Sequence, residues 1–143
     1  MRKLFPLFLI LLVLTIGVAA QVRPFSTLKG DYKQVQIVVQ VKIKSIKYAA
    51  PDVYPLYVAQ GEVVESFKGK IKRGQALEFY LHIENGENRD LSQERGNWIV
   101  FLKGKYPTPN GGKGWYELEN SRVTPSQKAV LQMRMIKASV TKG

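Results

Sequence analysis

Gln34-Val35-Gln36-Ile37-Val38-Val39-Gln40-Val41-Lys42-Ile43-Lys44 alternates with a period of two. Val35, Ile37, Val39, Val41 and Ile43 fall on one face, and Gln34, Gln36, Gln40, Lys42 and Lys44 on the other. A helix would space its apolar residues three and four apart, so this pattern predicts a strand with one buried side. It continues through Ile46 to Tyr48, past a change of phase at Ser45-Ile46 that suits a bulge in a long, bent strand. Pro51 and Pro55 punctuate the turn that follows.

A second strand is expected from about Leu56 to Phe67, with Gly61 inside it as the mark of a bulge or a close backbone approach. Lys68-Gly69-Lys70-Ile71-Lys72-Arg73-Gly74 forms the next hairpin region. In the third strand Leu77, Phe79, Leu81 and Ile83 alternate with Glu78, Tyr80, His82 and Glu84. Glu84 to Asn97 is a polar loop with turn signals at Asn85-Gly86 and Arg95-Gly96. Trp98-Ile99-Val100-Phe101-Leu102 is a continuous apolar run, the mark of a strand covered on both faces. Gly104 to Gly114, rich in glycine and proline, is expected to be a long mobile loop before a short fifth strand, Trp115 to Glu119.

Thr124-Pro125-Ser126-Gln127 then combines a threonine N-cap, a proline at the first helical position and a glutamine placed for a capping box. These signals predict a helix from about Pro125 to Ala138. Ala129, Val130, Met133 and Ile136 form its main apolar stripe, and Leu131, Met135 and Ala138 a second one nearly opposite. The second stripe is expected to lie under the N-terminal segment Val22 to Leu28, the alternative being a partner. The fold expected from these elements is mainly β: a five-stranded OB-type Greek-key barrel with a C-terminal α-helix, with a sandwich as the alternative.

The first residues give an address. Met1-Arg2-Lys3, the apolar run Leu4 to Val18 and the exit Val18-Ala19-Ala20 have the three parts of a cleaved export signal. The run falls short of the about 20 apolar residues of a permanent span, and Pro6, Thr15 and Gly17 interrupt it. The expected organisation is therefore a signal peptide over 1–20, an N-terminal extension over 21–33 and one domain with one core over 34–143. The protein would be periplasmic or secreted, with no transmembrane segment left after cleavage.

The chain carries 22 Lys and Arg against 11 Asp and Glu, a formal charge of +11; cleavage removes only Arg2 and Lys3 from that excess. A basic domain inside a cell would point to nucleic acid. Behind an export signal the expected partner is instead an acidic protein, a glycan or an anionic membrane surface, and nucleic acid becomes a minor reading. There is no cysteine. Small exported domains of eukaryotes commonly rely on disulfides, so a cysteine-free one points to a bacterial protein held together by packing alone.

Three stretches carry a family likeness: Tyr57-Val58-Ala59-Gln60-Gly61-Glu62-Val63-Val64-Glu65-Ser66-Phe67-Lys68-Gly69, Gly96-Asn97-Trp98-Ile99-Val100-Phe101-Leu102 and Trp115-Tyr116-Glu117-Leu118-Glu119-Asn120. The chain resembles the netrin-like domains related to the tissue inhibitors of metalloproteinases, as a cysteine-free bacterial variant, over roughly Val35 to Ile136. The resemblance implies a barrel with a helix and an extracellular binding module. It does not carry protease inhibition, because those inhibitors chelate zinc through an N-terminal cysteine, whereas the processed chain would begin at Gln21.

Nucleophilic catalysis needs a nucleophile beside a base, and the chain offers no cysteine and a single histidine, His82. The same count argues against a zinc site. Of the carboxylates, Glu62 and Glu65 are expected on opposite strand faces, while Glu78 with Glu84, and Glu117 with Glu119, share faces as solvated surface. The chain is thus expected to be non-enzymatic and to use no cofactor or metal. The candidate binding residues are Lys68, Lys70, Lys72 and Arg73 in the basic turn, Tyr80 and His82 on the outer strand face, and Lys103, Lys105, Tyr106, Lys113 and Trp115 around the glycine-rich loop. Lysines at such places also guard strand edges, and that alternative stays open. Three alternative functions stand beside this one: an envelope protein docking a partner on its C-terminal helix and, more remotely, an inhibitor-like protein or a hydrolase using His82.

Overall fold

A computed structural model describes residues 23–50, 55–83 and 90–142. The expected signal peptide over 1–20, Val22, the Pro51 turn and Asn85-Gly86 lie outside the described residues. In chain order the elements are α1 (Phe25–Gln34), β1 (Ile37–Ala50), β2 (Leu56–Lys68), β3 (Ala76–His82), a short 3-10 turn (Leu91–Glu94), β4 (Gly96–Pro107), β5 (Lys113–Glu117) and α2 (Gln127–Thr141). The strands hydrogen-bond in the order β1-β2-β3-β5-β4, and β4 pairs back onto β1. The expected mainly β, five-stranded fold with a C-terminal helix is therefore present. Its closure is an irregular ring rather than a regular cylinder, because β3 and β5 meet in parallel through only Phe79↔Trp115 and Tyr80↔Tyr116.

Among the described residues two apolar cores, not one, hold the fold together. Inside the ring Val39, Val41, Ile43, Phe79, Leu81, Val100 and Leu102 pack among themselves. Outside it Val38, Phe67, Ile99 and Phe101 form a second apolar surface, covered by Leu28 and Tyr32 of α1 and by Ala129, Met133 and Ile136 of α2. Successive strand residues point to opposite faces, so Ile99-Val100-Phe101-Leu102 feeds both cores in turn. Val38, omitted from the alternating pattern, is buried for the same reason.

The segment expected as an extension is thus α1, part of the second core. Its place is set by Leu28 and Tyr32, one turn apart on the buried face, and by the Tyr32 hydroxyl, which donates to the Phe67 carbonyl at 2.8 Å. Burial raises the Tyr32 pKa. Arg23 ties the start of this segment down by donating to the Ser121 carbonyl at 2.9 Å and pairing with Asp31.

Local irregularities match specific residues. The β1–β2 register slips between Ile43 and Ser45, where the change of phase was expected. At Gly61 a Cβ would run into the Lys42 carbonyl and the Val41 side chain, so only glycine fits this close approach. A further slip near Val41 and Val63 puts Glu65 on the outer face together with Glu62, not opposite it.

Gly104 to Gly114 is not a long loop. β4 runs on to Pro107 and β5 starts at Lys113. The turn between them is closed by the Thr108 hydroxyl, which accepts from the Gly112 amide at 3.1 Å, and by Gly111 at φ +81°. Helix α2 starts later than expected because the cap is Ser126, whose hydroxyl accepts from the Ala129 amide. Thr124 and Pro125 precede it.

Candidate functional site

The basic turn after β2 and the β4–β5 hairpin leave the ring at the same end. The start of β1 pairs with the end of β2 through Val38↔Lys68 and with β4 through Val38↔Phe101, and β4 then runs past it to Pro107. Gln36 lies between the two segments, its carbonyl beside Gly69 and its side-chain amide beside Gly104. Lys70, Lys72 and Arg73 are exposed on one side of it, and Lys105 and Lys113 on the other, with Lys103 half-buried. The two groups of lysines read separately in the sequence therefore flank one rim.

Lys68 belongs elsewhere. Its ammonium donates to the Tyr32 carbonyl at 2.7 Å and sits 4.9 Å from the centre of the Tyr32 ring. Desolvation lowers its pKa. It fastens α1 to β2 rather than pointing to solvent. His82 is exposed at the opposite end of β3 from the rim, across from Leu56.

The aromatic candidates rearrange. Tyr80 is on the outer face of β3 but is only 6% exposed. Its ring packs against Gly114, where a Cβ would come within 2.8 Å of it, and stacks on Tyr116 with centroids 5.1 Å apart. Trp115 turns inward, opposite Phe79, and packs on the inner core with Lys105 above its ring at 5.7 Å. The outward aromatic of β5 is Tyr116, which the sequence reading left out of the site. Its hydroxyl donates to the Pro107 carbonyl at 2.7 Å, and Tyr106, 49% exposed, meets its ring edge-on. Register pairs place Lys47, Val58, Tyr80, Tyr116 and Lys103 in one row across the outer face. The exposed Tyr106, packed on Tyr116 beside Lys103, brings a ring and positive charge to the same side of the sheet.

On the other side the rim reaches α2. Arg134 donates two hydrogen bonds to Glu65, at 2.8 and 2.9 Å, and Lys137 donates to the Ser66 carbonyl at 3.0 Å. The Arg134 hydrogen bond, outweighing partial burial, holds the Glu65 carboxyl below the usual glutamate range, and the charges of Lys137 and Arg73 add to the effect. Arg73, Arg134 and Lys137 thus gather around one carboxylate. Their grouping was missed because they are far apart in sequence; the signal available was that no Asp or Glu follows Glu119.

Glu117 is not solvated surface. Together with Glu94 it grips Arg122, which donates to both Glu117 oxygens at 2.8 Å and to Glu94. Burial alone would lower the Arg122 pKa; hydrogen bonds and charge from Glu117 and Glu94 outweigh it and raise the pKa. Trp98 covers the guanidinium at 5.4 Å. This cluster ties the 3-10 turn to β5 and belongs to the scaffold.

Among the described residues, no helix is long and apolar enough to cross a membrane. No protein-family model matches the chain and no curated protein matches it, so the likeness to netrin-like domains rests on the three quoted stretches alone.

Proposed function

We propose that this chain is an exported, non-enzymatic binding module of netrin-like type that holds an anionic partner of the cell envelope or its surroundings on its basic rim. One observation carries the reading: Lys70, Lys72 and Arg73 rise from the same end of the ring as Lys103, Lys105 and Lys113, with Gln36 between them. Positive charge collected from two hairpins onto one rim favours a ligand that presents repeated negative charge, such as an acidic protein, a glycan or a lipid surface. The Tyr106–Tyr116 pair beside Lys103 supplies ring faces to the same contact. The basic start, apolar run and small-residue exit of residues 1–20 support export.

The test has two arms. Protein recovered from expressing bacteria should lie outside the cytoplasm and begin at Gln21; recovery in the cytoplasm with Met1 in place overturns export. On immobilised acidic glycan and on anionic lipid the protein should be retained at low salt and released as salt screens the contact. Changing Lys70, Lys72 and Arg73 together to glutamine, or Lys103, Lys105 and Lys113 together, should lower the salt needed for release. No retention on any acidic matrix would overturn the reading.

A further inference from the structure

We propose that the outward face of α2 is a shallow ridge that docks on an anionic lipid surface, a deepening that rests on the exported, basic-module reading. α2 buries Ala129, Met133 and Ile136 in the second core. Leu131 and Met135 face away from that core and are 58% and 54% exposed. Ala138 is exposed with them. A single exposed leucine needs no explanation. Here the spacing 131, 135, 138 lines up an apolar stripe on one helix face, and of the expected cover, Val22 to Leu28, the described Leu28 is spent on the second core while Leu131 and Met135 stay exposed.

The surroundings of the stripe select its occupant. At 100° per residue Lys128 and Lys142 fall in the same outward sector as Leu131 and Met135, and both are exposed. On the β2 side the stripe borders Arg134 and Lys137, and through them the Arg73 turn. Neither α2 nor anything after it carries a carboxylate side chain. A second copy docking through this face would set two cationic, acid-free helices against each other. A rigid protein partner would need a groove shaped to receive a convex helix. A bilayer interface takes a ridge of this shape as it is: leucine and methionine enter the acyl boundary, and lysines extend to the phosphates.

The experiment is co-sedimentation of the exported protein with vesicles of phosphatidylcholine alone and of phosphatidylcholine with phosphatidylglycerol, at low and moderate salt. The protein should bind only the vesicles with phosphatidylglycerol. Leu131→Gln with Met135→Gln should lower the partition coefficient about tenfold, with circular dichroism and retention on acidic glycan unchanged, since both side chains are exposed. Met135→Trp gives a second readout, a blue-shifted emission on anionic vesicles. Equal vesicle binding by the double variant and the wild type overturns the ridge while leaving the basic rim standing. Retention on acidic glycan without any vesicle binding does the same. Loss of binding to every acidic ligand overturns both readings. A wild-type dimer that the double variant makes monomeric, or an acidic protein held through these two residues by a chain that ignores vesicles, assigns the face elsewhere and overturns the lipid proposal.

Discussion

Arg122 holds two carboxylates in a place that water barely reaches, with the side chains of Arg122, Glu94 and Glu117 14%, 12% and 9% exposed. Replacing the arginine leaves two facing negative charges without their counter-ion. Breaking a buried pair by removing one partner costs about 3 kcal/mol or more, so Arg122→Met should show a loss of that order in urea unfolding. Glu65 makes the gentler case. Its folded-state pKa is lowered, first by the Arg134 hydrogen bond. The unfolded chain therefore binds more protons in acid, and the stabilisation is present above the unfolded glutamate pKa and lost as pH falls through the folded one. Stability of the wild type minus that of Glu65→Gln should shrink toward zero on acidification below the ordinary glutamate range. A difference that stays constant with pH would contradict the pairing. Glu65 and Arg134 are 69 positions apart, which is why neither strand nor helix pattern announces them.

At the scale of elements, capping chemistry decides where α2 begins. Ser126, not Thr124, accepts the hydrogen bond from the Ala129 amide, at 3.1 Å. Removing such a cap costs about 1 kcal/mol. Ser126→Ala should lower stability by that amount in thermal or urea unfolding, and Thr124→Ala should leave it close to the wild type. The two candidates sit two residues apart and have the same hydroxyl chemistry, so sequence places the helix and leaves its first turn to the fold. The β4–β5 hairpin illustrates the same limit. Glycine and proline in Gly104 to Gly114 signal a break in regular structure, yet Tyr106 pairs with Gly114 and Pro107 with Lys113. Strand pairing reaches almost to the turn, and it aims Lys105 and Tyr106 where a loose loop would have scattered them.

At the scale of the whole molecule, the second core makes α1 integral to the domain. Leu28 is buried among Val38, Phe67, Met133 and Ile136, residues from both sides of the chain. Leu28→Ala should destabilise by about 3 kcal/mol, as large-to-small changes in packed cores do, measured as a lower urea midpoint with an unchanged slope. A dispensable extension would show no such change. The sequence by itself determined the strands, the C-terminal helix and the mainly β class, because apolar periodicity follows from which side of each element must leave water. It also determined the excess of positive charge and the presence of residues 1–20 in the pattern of an export signal. Only the tertiary structure decided that α1 exists as a covering helix, since its apolar residues are few and gain their meaning from the surface beneath them. Only the tertiary structure turned Trp115 inward and Tyr116 outward, gathered lysines from two hairpins onto one rim, and left Leu131 and Met135 facing out. Those outcomes depend on register and on contacts between distant segments, which are settled when all the apolar faces compete for two cores at once.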